Sequence, residues 1–146
     1  MSQYILKKVF PYSTTEVFAV FHDQFKQTFP LANILKPIGA CAERDAAGVQ
    51  GYTFHLSMQI TDYEENRVYE LTTRSSNKQI YVTRYELTPL EDGSTLLALG
   101  EEITTPGFFG SANAILTQIF FKKRARKKAE RLFQSIETEL ARKSNG

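Results

Sequence analysis

Two adjacent carboxylates, Glu101 and Glu102, are the residues of this sequence best suited to chemistry. Neighbours along a regular strand point to opposite faces, so one of the two turns inward. The series Leu97, Leu99, Glu101, Ile103 gives that role to Glu101. A carboxyl group in an apolar cavity holds its proton to higher pH and can act as general acid or base. The plainer alternative is that the strand has reached a cavity mouth and both acids stand in water. Tyrosine is the second signal. Tyr52, Tyr69, Tyr81 and Tyr85 fall in a central run of strand-like sequence. Each offers an apolar ring with a polar tip, which suits an amphipathic ligand. The same rings also fill cores or cover outer sheet faces, since tyrosine is a good strand former.

Other chemistries find less support. His22 and His55 are the only histidines and Cys41 the only cysteine. Their spacing suggests no metal site, and no phosphate loop or nucleophile pattern accompanies them, so no metal and no cofactor are expected. Alternation puts His55 on the polar face of its strand. His22 is expected at the end of the first helix, where a cation suits the helix dipole, and Cys41 as a small buried or edge residue. Arg84 and Glu86 are assigned to an outer face. Thr83 reads both ways, alternating with Tyr81 and Tyr85 but flanked by those charges. A single cysteine fits a reducing compartment, and the first ten residues alternate where an export signal would have an apolar run. The expected location is cytoplasmic.

The net charge of +2 conceals an asymmetry. Lys122, Lys123, Arg124, Arg126, Lys127, Lys128 and Arg131 fall within ten positions, and the rest of the chain carries 11 basic and 15 acidic residues. Such a tract directly after Phe108, Phe109, Ile115, Leu116, Ile119, Phe120 and Phe121 could meet an anionic membrane surface, where each cation contributes about 1 kcal/mol. It is otherwise a solvated helix face. Nucleic acid is disfavoured, because no nucleic-acid-binding fold surrounds the patch. A homodimer is the remaining use for the apolar excess. Ile103 to Phe121 is uncharged but carries Pro106, Gly107 and Gly110, so it is not expected to span a membrane.

The elements that must hold these residues follow from periodicity. Ser2–Phe10 reads as a strand ended by Pro11. Ser13 and Glu16 form a capping box for a short helix bearing Val17, Phe18, Val20, Phe21 and Phe25, with a second turn or two toward Leu35, broken by Pro30. Strands are expected at Gly39–Arg44, Gly51–Asp62, Arg67–Ser75, Gln79–Thr88 and Ser94–Thr104, with turns near Asp45–Gly48, Glu64–Asn66, Ser76–Asn77 and Glu91–Gly93. From Ala112 to Ala141 no Pro or Gly interrupts a helix capped by Ser111, which would run roughly 45 Å. Its second apolar stripe (Ala125, Ala129, Leu132, Phe133, Ile136, Leu140) is out of phase with its first, so either the helix bends near Lys122 or basic stems lie along apolar surface. One strand, one or two short helices, five antiparallel strands and a long helix make a single α+β domain over residues 1–146, with the helices on one face.

The capped helix after the first strand, the hairpin TRYELTPLEDGSTLLAL (Thr83–Leu99) and the closing amphipathic helix resemble the START-related helix-grip superfamily, SRPBCC. That superfamily includes polyketide cyclases and dehydrases, lipid-transfer domains and pollen-allergen proteins. The chain is most similar to its short, uncharacterised bacterial members. The resemblance implies a curved antiparallel sheet gripping the C-terminal helix, with an apolar cavity between them. The expected function is a non-enzymatic carrier or sensor of a small apolar or amphipathic molecule. Candidate ligand contacts from the strands are Tyr52, Phe54, Tyr69, Tyr81, Thr83, Tyr85 and Leu99. The last helix and its approach supply Phe108, Ile115 and Ile119, and Phe108–Phe121 is expected to gate the cavity. The alternatives are a cyclase- or dehydratase-like enzyme using Glu101 with a cavity tyrosine, and a membrane- or partner-binding module acting through the basic helix.

Overall fold

Six strands and two helices succeed one another as β1 (Tyr4–Phe10), α1 (Thr14–Thr28), β2 (Cys41–Ala47), β3 (Thr53–Glu64), β4 (Val68–Ser75), β5 (Ile80–Pro89), β6 (Thr95–Thr104) and α2 (Ala112–Asn145). The computed structural model describes residues 4–30, 36–47, 51, 53–76, 78–104 and 112–145, without the side chains of 4–5, 46–47, 104, 112–125 and 145. All strand pairs are antiparallel, in the order β1-β6-β5-β4-β3-β2. Five strands therefore form a meander, and β1 joins its far side against β6. This is the α+β, helix-grip arrangement expected from the sequence.

Ser13 starts α1 as expected. Its hydroxyl accepts the Glu16 N–H at 3.2 Å, and its own N–H donates to Glu16 Oε1 at 3.2 Å. Val17, Phe18, Val20, Phe21 and Phe25 are the buried residues of the helix. The helix is one element ending at Thr28, two residues before Pro30, so His22 lies in its body and not at its end as expected. Residues 31–35, where a further turn was expected, lie outside the described residues, as does the expected cap Ser111.

α2 is helical without interruption from Ala112 to Asn145. Its second half buries Ala129, Phe133, Ile136 and Leu140, spaced four, three and four apart, against β1 and α1. The Phe133 ring meets Phe10 edge-on with centroids 5.9 Å apart. Two exposed ion pairs flank this packing, Lys8–Glu137 at 2.6 Å and Lys143–Asp23 at 2.8 Å. Each contributes no more than about 1 kcal/mol, so the buried stripe dominates the docking. The side chains of the first stripe lie outside the described residues, and with them the question of phase near Lys122. Among the described residues no helix is long and apolar enough to cross a membrane.

Strand boundaries differ from expectation at two places. β2 continues through Asp45 and Ala46, where a turn was expected, because both still pair with His55 and Phe54 of β3. β3 contains a register shift between Ile60 and Asp62: Ile60 faces Leu71, Asp62 faces Glu70, and Tyr63 faces Tyr69. Thr61 hydrogen-bonds Glu70 and Thr72, so Thr61 and Asp62 both point to the outer face. This is a β-bulge. It returns Tyr63 to the inner face, against simple alternation. At the β5–β6 hairpin the expected turn holds, with Gly93 at φ 85°, a conformation that favours glycine.

Candidate functional site

The inner face of the sheet is fixed by two core residues of β6, Leu97 and Leu99, at 0% and 2% exposure. Alternation carries the same face to Glu101 and Ile103. Opposite them on β5 stand Leu87, Tyr85, Thr83 and Tyr81, and β4 sets Tyr69, Leu71 and Thr73 against the last three of these. Thr83 therefore lies between Glu101 and Leu71 on the inner face, and its outer-face reading is corrected by this register. Glu102 is exposed on the other side.

At one end of this face α1 lays an aromatic layer on the tyrosines. Phe21 packs 4.7 Å from Tyr85 and 6.0 Å from Tyr69, centroid to centroid. Phe18 meets Tyr63 at 5.4 Å, and Tyr63, Tyr69 and Tyr85 follow one another at 6.2 Å steps. The Tyr63 hydroxyl lies 3.3 Å from His22 Nδ1. Those of Tyr69 and Tyr85 make no hydrogen bond among the described residues, yet neither is sealed from solvent-sized space. Burial pushes the Tyr69 hydroxyl up to about 12 and the Tyr85 hydroxyl further, the Glu101 charge adding to the latter. Both remain O–H groups at physiological pH.

At the other end, Tyr81, Thr83 and Glu101 are half-buried. Burial raises the Glu101 carboxyl above its usual range, and the Lys128 cation of α2 pulls it part of the way back. Glu101 in turn adds to the rise that burial causes at Tyr81. The Tyr81 hydroxyl donates to the Gln79 side chain. The fold thus gathers Glu101, Tyr81, Tyr85 and Lys128 from β6, β5 and α2. Such a group can bind a polar end of a ligand, or move a proton at the Glu101 carboxylate.

The remaining candidates fall as follows. Phe54 is half-buried on β3, while Tyr69 and Leu99 belong to the packed core. Tyr52 and Phe108 lie outside the described residues, as do the side chains of Ile115, Ile119, Lys122, Lys123 and Arg124 and the expected gate Phe108–Phe121. Arg126, Lys127, Lys128 and Arg131 are exposed, and Arg126 pairs with Glu130 at 3.5 Å. A groove along α2 lined by Arg131, Gln134, Ser135 and Thr138 opens to solvent. Cys41 is exposed on the edge strand β2. Among the described residues no cluster of three or more His, Cys, Asp or Glu side chains could hold a metal.

Two arrangements were missed in the sequence. Tyr63 joins the aromatic layer through the bulge, which no local signal marks. Arg84 reaches Asp62 at 2.8 Å, Glu70 at 2.9 Å and Glu86 at 2.6 Å across the outer face. The outward placement of Arg84 and Glu86 was legible from alternation, but the partners Asp62 and Glu70 depend on register.

Residues 43–122, more than half of the chain, match a family described as a domain of unknown function, DUF3284. The chain belongs to that family. The match runs from within β2 to the start of the basic tract, leaving β1, α1 and most of the basic residues outside it. Among proteins of curated function, none matches the sequence significantly. Solved structures share the fold at low identity. A conserved protein from Geobacillus kaustophilus is 16% identical with a TM-score of 0.62, over 93% of each chain. A protein from Arthrobacter aurescens is 14% identical with a TM-score of 0.63, over 93% of this chain and 84% of that one. Ara h 8.0201, a Bet v 1-like helix-grip protein, is 13% identical with a TM-score of 0.60, over 97% of each.

Proposed function

We propose that this protein is a carrier or sensor of a small apolar or amphipathic molecule, held between the inner face of the sheet and α2. The observation that carries this reading is the inner face itself, where the half-buried Tyr81, Thr83 and Glu101 adjoin the packed rings of Tyr69 and Tyr85. An apolar and aromatic lining with a few polar groups is the usual make-up of a small-molecule site. The likeness to Ara h 8.0201 and the resemblance to START-related proteins support a ligand-binding use of the fold. Native mass spectrometry of gently purified protein tests it. The expected spectrum shows an adduct that survives gentle desolvation and is released on denaturation. Uniformly unliganded protein, with no uptake of an added apolar fluorophore, would overturn the reading.

The half-buried carboxyl of Glu101 favours one second reading, a cyclase- or dehydratase-like enzyme. There Glu101 would take a proton from, or give one to, the bound molecule, while a tyrosine hydroxyl donates to its developing oxyanion. The two readings separate on Glu101→Gln. A carrier variant would retain its adduct unchanged in mass, whereas an enzyme variant would accumulate a bound species of different mass from that in the wild type.

A further inference from the structure

We infer that the solvent-facing ridge of α2 is a docking surface for an anionic phospholipid membrane, on which the helix lies without crossing it. The ridge is the helix face turned away from the buried stripe. Ala129, Phe133, Ile136 and Leu140 are buried, and α2 packs on β1 and α1. At about 100° per residue, Lys127, Arg131, Gln134 and Thr138 lie roughly opposite that stripe. All four are exposed, and the last three border the groove that opens to solvent, with Ser135 beside them.

Charge along this ridge has one sign. α2 carries three acids, and each is engaged by a cation off the ridge: Glu130 by Arg126, Glu137 by Lys8 and Glu139 by Arg142. Lys128 is directed elsewhere, since its cation acts on the Glu101 carboxyl. Lys127 and Arg131 are left without an acidic partner among the described residues. Gln134 and Ser135 add hydrogen-bonding groups and no charge. Exposed cations of this kind are neutralised by an anionic surface, each adding to the attraction.

The sequence upstream selects a bilayer over a nucleic acid. The unbroken helix carries the same face back through positions Arg124, Phe120 and Leu116, by steps of three and four residues. Residues 112–121 hold no charge at all. A nucleic acid would engage the cations and leave the apolar positions unused. A bilayer takes both, headgroups meeting the cations and the acyl boundary the apolar end. The docking is lateral, because among the described residues no helix is long and apolar enough to cross.

Vesicle flotation of the full chain tests the inference. Vesicles of phosphatidylcholine alone are compared with vesicles holding about one third phosphatidylglycerol. Binding is expected to the second kind only, and it should fall about tenfold or more as salt rises from about 0.05 to about 0.5 M. Lys127→Glu with Arg131→Glu should lower binding at low salt about thirtyfold, roughly fivefold for each cation lost. Arg44→Glu with Arg74→Glu makes the same change in net charge at exposed positions of β2 and β4 and should lower it no more than about twofold. Thermal melting checks that each variant is folded, and Lys127→Gln with Arg131→Gln replaces the reversal if that variant melts early. Wild-type protein that ignores the anionic vesicles at low salt overturns the inference. Equal losses in the two double variants overturn it too, since net charge alone would then explain binding. A duplex DNA that binds through Lys127 and Arg131 more tightly than the vesicles do would assign the ridge to nucleic acid instead. None of these outcomes bears on the carrier reading, which concerns the opposite side of the helix.

Discussion

On the outer face of the sheet Arg84 reaches three carboxylates from β3, β4 and β5, Thr61 bonds to Glu70 and Thr72, and His55 lies between Glu43 and Asp45. On the inner face the rings of Tyr69 and Tyr85 pack against Phe21 and each other, and their hydroxyls make no hydrogen bond among the described residues. The outer face is thus held by side-chain ion pairs and hydrogen bonds, and the inner face by the packing of rings. The difference teaches that cross-strand charge pairs fix the outer face, whereas apolar ring contacts with α1 fix the inner one.

Substitutions can break or sharpen that contrast. The largest effect is expected from Phe21→Ala, which removes the fully buried ring holding Tyr69 and Tyr85 in place. Chemical denaturation should show a loss of about 3–5 kcal/mol. A loss below about 1 kcal/mol would mean the layer does not hold the inner face together. Next comes Arg84→Met, which leaves three carboxylates facing one another. The acids are partly exposed, at 19–42% of their side-chain area, so the cost is discounted to about 1–2 kcal/mol. Tyr85→Phe should then change stability by less than about 0.5 kcal/mol, because no described partner loses a bond. A larger loss there would reveal a partner and erase the contrast between the faces.

The smallest effect concerns His55. The hydrogen bond to Asp45, then that to Glu43, raise its pKa above the usual 6.5. A folded value above the unfolded one gives a stabilising contribution present in full below about 6.5 and lost as pH rises through the folded value. An NMR titration should find His55 charged to higher pH than a free histidine, and Asp45→Asn should lower its midpoint. An unchanged midpoint would show that the outer pairing is geometric only.

Most of the architecture was legible because period-two alternation and the capping box are local signals. Ser13 with Glu16, the run Leu97 to Ile103, and the stripe from Ala129 to Leu140 each declare their element without reference to any other. The inward direction of Glu101 was legible for the same reason. Its position between Thr83 and the Lys128 charge was not, since cross-strand register and helix docking are decided by distant residues. His22 was misplaced because Pro30 was read as breaking a longer helical stretch, while the helix itself persists to Thr28. Tyr63 lies beyond the expected end of its strand at Asp62 and reaches the inner face through one extra residue.

That extra residue marks the point at which the strand can change length. Replacing Thr61 by another side chain costs at most its bonds to Glu70 and Thr72. Deleting it would leave Ile60 inward, Asp62 outward and Tyr63 inward in strict alternation, with both flanking registers kept. A chain one residue shorter at this point would therefore lose the bulge and the Thr61 bonds but keep its inner and outer faces, whereas a residue lost elsewhere in β3 would turn every side chain beyond it to the other face.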